Sequence, residues 1–118
     1  MRAIRGATCL ERDDAALMNE AVAELLQEMM ERNGIGSDSL VSIILTGTPD
    51  LTSAFPAAGA RALGLVDVPL ICAQEMDVDG ALARVVRVMI HADIDTPRAD
   101  IRHVYLRGAE VLRQDIAQ

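Results

Sequence analysis

Apolar residues along this chain recur with two different periods. Leu17, Met18, Ala21, Val22, Leu25, Leu26, Met29 and Met30 follow one another at three- and four-residue steps, with Glu20, Glu24, Glu28 and Glu31 between them. That spacing lays one broad apolar face along a helix and a charged face opposite it. Asp13 or Asp14 can cap its start, because a carboxylate accepts the orphan amides of a first turn. Asn33-Gly34 stops it. Upstream, residues 2 to about 10 mix polar and apolar positions in a short run that predicts a strand, with Arg5 and Gly6 inside it or at its end. Val41 to Leu45 is β-branched and predicts a largely buried strand, ended by the Gly and Pro of Thr46-Gly47-Thr48-Pro49-Asp50.

A short helix is expected over about 53–63, with Pro56 in its first turn, where a missing amide costs nothing, and Gly64 at its end. Val68 to Ala73 predicts a third strand, followed by the polar Gln74-Glu75-Met76-Asp77. Asp79 can cap a second long helix with Leu82, Val85, Val86, Met89 and Ile90 as its buried face, and Arg84 and Arg87 share that helix. Thr96-Pro97 breaks the chain, Ile101 to Leu106 predicts a last strand before Gly108, and Val111-Leu112-Arg113 falls in a hairpin or irregular extension. The order strand, helix, strand, helix, strand, helix, strand predicts an α+β architecture, a mixed sheet with helices covering one face. No repeat or linker interrupts it, so residues 1–118 read as one domain. The Val/Ile/Leu-rich strands imply that the other sheet face is apolar too, and a small domain hides such a face by forming a homo-oligomer.

Composition narrows the possible partners. At 118 residues and 51% hydrophobic, the chain can bury a real core, roughly 65% of its extended surface at this size. Phe55 and Tyr105 are the only aromatics, so that core is aliphatic. Eighteen acids stand against eleven arginines and no lysine, for a net charge of -7. This balance disfavours nucleic acid, whose binding needs clustered positive charge. It leaves room for an anionic small molecule, since a few converging arginines make a local positive pocket. Met1-Arg2-Ala3-Ile4-Arg5 shows no signal-peptide core, and no apolar run approaches a membrane span, so a soluble, cytoplasmic protein without membrane partners is expected. Cys9 and Cys72 have no ligand spacing and read as small buried thiols in a reducing compartment.

The usual catalytic signatures are missing. There is no phosphate-cradling Gly-rich loop with Lys, and no Lys for a Schiff base. His91, at a predicted helix end, and His103, in a predicted strand, give no metal motif. Asp93 and Asp95 suit a turn better than a calcium site. No metal or cofactor is therefore expected. Three arginines in apolar surroundings remain: Arg5, Arg87 and Arg113. Each needs an acidic partner or an anion, because an unpaired buried charge is costly. Internal ion pairing satisfies that need. So does a shared pocket for carboxylates, which guanidinium forks grip bidentately. Glu75 directly follows an apolar strand, three residues after Cys72, and there it can cap, form a salt bridge or accept a bond from a substrate hydroxyl.

One ordered set of segments goes further. Ile4-Arg5-Gly6-Ala7-Thr8 with Glu11-Arg12-Asp13, Thr48-Pro49-Asp50-Leu51, Phe55-Pro56-Ala57, Val68-Pro69, Cys72, Gln74-Glu75-Met76-Asp77-Val78, Arg87-Val88-Met89 and Ile101-Arg102-His103-Val104-Tyr105-Leu106 together resemble the monofunctional chorismate mutases of the Bacillus type. The likeness runs in register to about Arg113. It implies a ferredoxin-like, pseudo-barrel homotrimer with active sites at subunit interfaces, which rearranges chorismate to prephenate without a cofactor. It also implies roles: Arg5 pairs with a substrate carboxylate, Arg87 binds the ether oxygen and a nearby carboxylate, and Glu75, with Cys72 beside it, holds the ring hydroxyl. Tyr105 helps seat the enolpyruvyl side, while Phe55, Ala57, Arg61, Leu112 and Arg113 line or close the pocket. Ala58 departs from the pattern where a Lys is found, and Ile71 where a Thr is found. The reaction is pericyclic and needs no proton transfer or covalent intermediate, which accounts for the missing nucleophile. Two alternatives are a small trimeric enamine/imine deaminase and a non-catalytic trimer that binds a carboxylate metabolite.

Overall fold

The long helix forms where the periodicity puts it. In a computed structural model of the chain, which describes residues 1–112, helix α1 spans Ala15–Arg32. Asp14 is its cap, accepting from the Leu17 amide at 2.9 Å. At the other end the Gly34 amide reaches the Glu31 carbonyl and the Ile35 amide the Met30 carbonyl, with Gly34 at φ 62°. This left-handed C-terminal turn closes the last carbonyls and needs a residue without Cβ. Met18, Ala21, Val22, Leu25, Leu26 and Met29 are buried, while Leu17 and Met30 pack at the margin.

Strands β1 (Arg2–Cys9), β2 (Leu40–Gly47), β3 (Leu70–Gln74), β4 (Val85–Ala92) and β5 (Val104–Leu106) form one mixed sheet, in the order β3-β2-β4-β1-β5. β4 is antiparallel to both of its neighbours, whereas β1 with β5 and β2 with β3 are parallel. α1 and a short second helix, α2 (Ala57–Ala62), cover one face. Ile4, Ile43, Leu45, Val86, Val88 and Ile90 point into that layer and meet the apolar stripe of α1. The α+β class with helices on one face is therefore as expected. None of the described helices is long and apolar enough to cross a membrane.

Two expectations fail. The segment predicted as a second long helix, capped by Asp79, is instead irregular through residue 84 and then becomes β4. Leu82, Val85, Val86, Met89 and Ile90 fit a helical stripe, but Val85 to Ala92 also alternates on a two-residue period and is rich in β-branched residues. The ambiguity is resolved by pairing with β1 and β2 along both edges, and Arg84, at φ 50°, interrupts any helix running in from Asp79. The observed order is thus strand, helix, strand, helix, strand, strand, strand. The helix-free sheet face is not simply apolar either: Ile44, Met89 and Ile71 share it with Arg5, Thr46, Arg87 and His91. Smaller differences are a β5 that begins only at Val104 and a 3-10 turn at Ala109–Leu112 in place of the extension. Pro56 precedes α2 rather than entering its first turn.

Candidate active site

The central strand decides where the charged side chains meet. Because β4 pairs with β1 and β2 on its two edges, Arg87 lies opposite Ala7 on one side and Thr46 on the other. One step along, Met89 lies between Arg5 and Ile44. Alternation sends all of these to the helix-free face. Tyr105 pairs with Ala7 from the parallel strand β5 and joins Val85, Ala109 and Leu112 in a small apolar cluster that covers one end of the face. Cys9 packs on that cluster, and its thiol pKa is raised chiefly by burial, secondarily by Glu110, against a lowering by Arg84.

Between these groups lies a concavity of about 470 Å³, lined by Arg5, Thr46, Glu75, Arg87, His91 and Tyr105 among others. Glu75 is held at the exit of β3 by its amide, which donates to the Gly47 carbonyl at 2.8 Å. Its carboxylate Oε2 accepts from the Thr46 hydroxyl at 2.6 Å and stands 3.7 Å from Arg87 Nε. Arg5 donates its backbone amide to His103 Nδ1 at 3.0 Å. Among the described residues no carboxylate lies within ion-pair distance of its guanidinium. Two guanidiniums thus face the hollow against one loosely placed carboxylate. Inside a chain of charge -7 this is a local positive site suited to a small anion.

The other predicted site residues fall elsewhere. Cys72 pairs with Leu45 and so points to the helix side of the sheet, away from Glu75. With Phe55 it lines a second concavity of about 420 Å³, bordered by the 51–56 loop and the end of β3. Phe55 is 73% exposed. Ala57 is buried in the first turn of α2, Arg61 is exposed on the same helix, and Leu112 packs beside Tyr105. Arg113 lies outside the described residues. Of the two departures, Ala58 is half-buried on α2 and Ile71 is exposed on the helix-free face, paired with Ile44. Sequence reasoning missed Thr46 and set His91 aside as a helix-end residue. His91 is in β4, its Nδ1 3.2 Å from the Ser42 hydroxyl. Both would have been found by counting in twos from Arg87 and Ile44, had β4 been recognised as a strand.

Comparisons with known proteins place the fold in a family. The family model described as "Chorismate mutase type I" matches residues 1–116. The chain belongs to this family. It is 49% identical over 117 residues to chorismate mutase AroH of Thermus thermophilus, covering 98% of this chain and 96% of that protein. To chorismate mutase AroH of Bacillus subtilis it is 42% identical over 118 residues, covering 99% and 93%. A solved chorismate mutase from Clostridium thermocellum superposes with a TM-score of 0.92 at 45% identity, over 94% of this chain and 99% of that one. As a type I chorismate mutase the protein is an isomerase of aromatic amino-acid biosynthesis that converts chorismate to prephenate. The deaminase and the non-catalytic binder give way to it.

Proposed function

We propose that the concavity between Arg5, Glu75 and Arg87 is where chorismate rearranges. In this reading Arg5 pairs with a substrate carboxylate and Glu75 accepts a bond from the ring hydroxyl through its free oxygen. Tyr105 seats the enolpyruvyl side chain. Arg87 meets the ether oxygen and a nearby carboxylate. The ether C–O bond breaks while a C–C bond forms within the same molecule, and no proton leaves it. The protein then has two tasks. It holds a flexible dianion in its chair-like, diaxial shape, which lowers the entropic part of the barrier. It also stabilises the negative charge that grows on the ether oxygen, and a fixed guanidinium in a partly desolvated hollow does this without reorganising.

The observation that supports this assignment is the state of the two arginines. Arg5 has no acidic partner among the described residues and Arg87 stands 3.7 Å from its own, so both forks are open to a dicarboxylate. Replacing Arg87 by Ala, or by citrulline, which keeps the shape and removes the charge, is expected to lower kcat by about 100-fold or more with the fold unchanged by circular dichroism. Loss of chorismate's ultraviolet absorbance reads the rate. Turnover near wild type in the citrulline variant would remove Arg87 from the chemistry.

The active unit is, in the same reading, a cytoplasmic homotrimer with its sites between copies. Phe55 and Cys72 stand apart from Arg5 and Arg87 in one chain, and Phe55 is largely exposed. One copy thus carries two separate halves of the expected lining. The half with Phe55, Ala57, Arg61 and Cys72 closes over the arginines of a neighbour.

A further inference from the structure

Glu75 and Arg87 face the same hollow with opposite charges, yet they do not form a close ion pair. The separation of 3.7 Å is beyond hydrogen-bond reach. Both side chains are partly exposed, at 49% for Arg87 and 28% for Glu75. What occupies the intervening oxygen is Thr46. Its hydroxyl donates to Glu75 Oε2 at 2.6 Å, the oxygen that faces Arg87 Nε. That length is typical of a charge-assisted bond from a hydroxyl to a carboxylate. Thr46 is also held where it must be to do this: it pairs with Arg87 across β4 and with Ala73 across β3, two residues before Glu75. A shift of β2 by one residue would turn the hydroxyl to the helix side.

The geometry points to Thr46 as a positioning residue that keeps the Glu75 carboxylate off Arg87, leaving both free for substrate; this rests on the assignment of Glu75 and Arg87 to the site. The hydroxyl satisfies one oxygen of Glu75 and leaves Oε1 without a partner among the described residues, available to a substrate hydroxyl. It also keeps the Arg87 fork uncommitted. Without it, Oε2 loses its donor and has Arg87 as its nearest cation, and the guanidinium it draws aside is then poorly placed for the ether oxygen, where charge grows only as the bond breaks. That cost falls on the transition state more than on the bound ground state, so it is read in kcat rather than in KM.

Thr46→Val keeps the branched shape and the strand preference and removes only the hydroxyl; Thr46→Ala is the second hydroxyl-free variant, and Thr46→Ser restores the donor without the methyl. Steady-state turnover of chorismate is expected to show kcat lowered by about 10-fold or more in Val and Ala with KM changed by less than about 3-fold, and near-wild-type values in Ser. The same substitution is then made in a Glu75→Ala background, where it is expected to have no further effect because the partner is gone. Equal losses in Ser and Val, or losses that multiply in the double variant, would overturn the positioning role. Glu75→Ala with wild-type turnover would instead overturn the assignment of Glu75 itself.

Discussion

Asp13 accepts from the Thr52 amide at 3.0 Å, the Thr52 hydroxyl at 2.8 Å and the Ser53 amide at 3.1 Å. Through these bonds the loop that ends in Phe55 is tied to the start of α1. The donors lower the Asp13 pKa from 3.8 to about 2, the Thr52 amide most, then the Thr52 hydroxyl; desolvation opposes them, and the Ser53 donors add less. A folded-state pKa below the ordinary one means stability that is complete above the ordinary value and lost as pH falls through the folded one. The advantage of wild type over Asp13→Ala in thermal unfolding should thus be full at neutral pH and fade between about pH 4 and 2. An advantage that persisted unchanged at the acid end would show that the carboxylate's charge is irrelevant to the clamp. Asp13 itself was legible only as one of two candidate caps. Asp14 took the cap, and the bonds that engage Asp13 come from 39 and 40 residues away.

At the scale of elements, α1 and α2 touch where Gly59 faces Val22. A Cβ on Gly59 would lie 2.5 Å from Val22 Cβ and 3.2 Å from the Asn19 carbonyl oxygen. Gly→Ala in a helix gains about 1 kcal/mol of propensity, while overpacking a fitted contact costs about 1–3 kcal/mol. Here the obstacles are a stiff β-branched side chain and backbone, which do not yield, so the clash wins. Gly59→Ala is expected to lower stability by about 1–2 kcal/mol, read as an earlier urea midpoint; an unchanged or later midpoint would mean that the helices slide apart at no cost. α1 was legible down to its cap and stop because both signals sit within a turn of its ends. β4 was not. Its eight residues satisfy two periods at once, and the bonds that make it a strand come from β1 and β2, distant in sequence.

At the scale of the whole molecule, the proposed placement of sites between copies is decided by a complementation experiment. Arg87→Ala disables the arginine half, and Phe55→Asp with Arg61→Ala disables the other half. Each variant alone is expected to turn over poorly. Dissociated, mixed in equal amounts and reassembled, they should regain about a quarter of wild-type activity, because random mixing brings two intact halves together at one site in four. Mixtures no better than their parents would confine each site to one copy.

Composition and periodicity determined the α+β class, the aliphatic core, the long amphipathic helix and the negative chain with its few isolated arginines. These are properties of each residue and its near neighbours. The ordered motifs carried the family as well, since Arg5, Glu75 and Arg87 lie within them. What the tertiary structure alone decided is which of these residues share a face. Strand pairing sets Arg5, Thr46 and Arg87 in adjacent rows, turns Cys72 to the opposite side and leaves Phe55 at a separate hollow. Register is a long-range quantity: one residue of slip inverts every side chain of a strand, and no local pattern on either strand records the partner that prevents it.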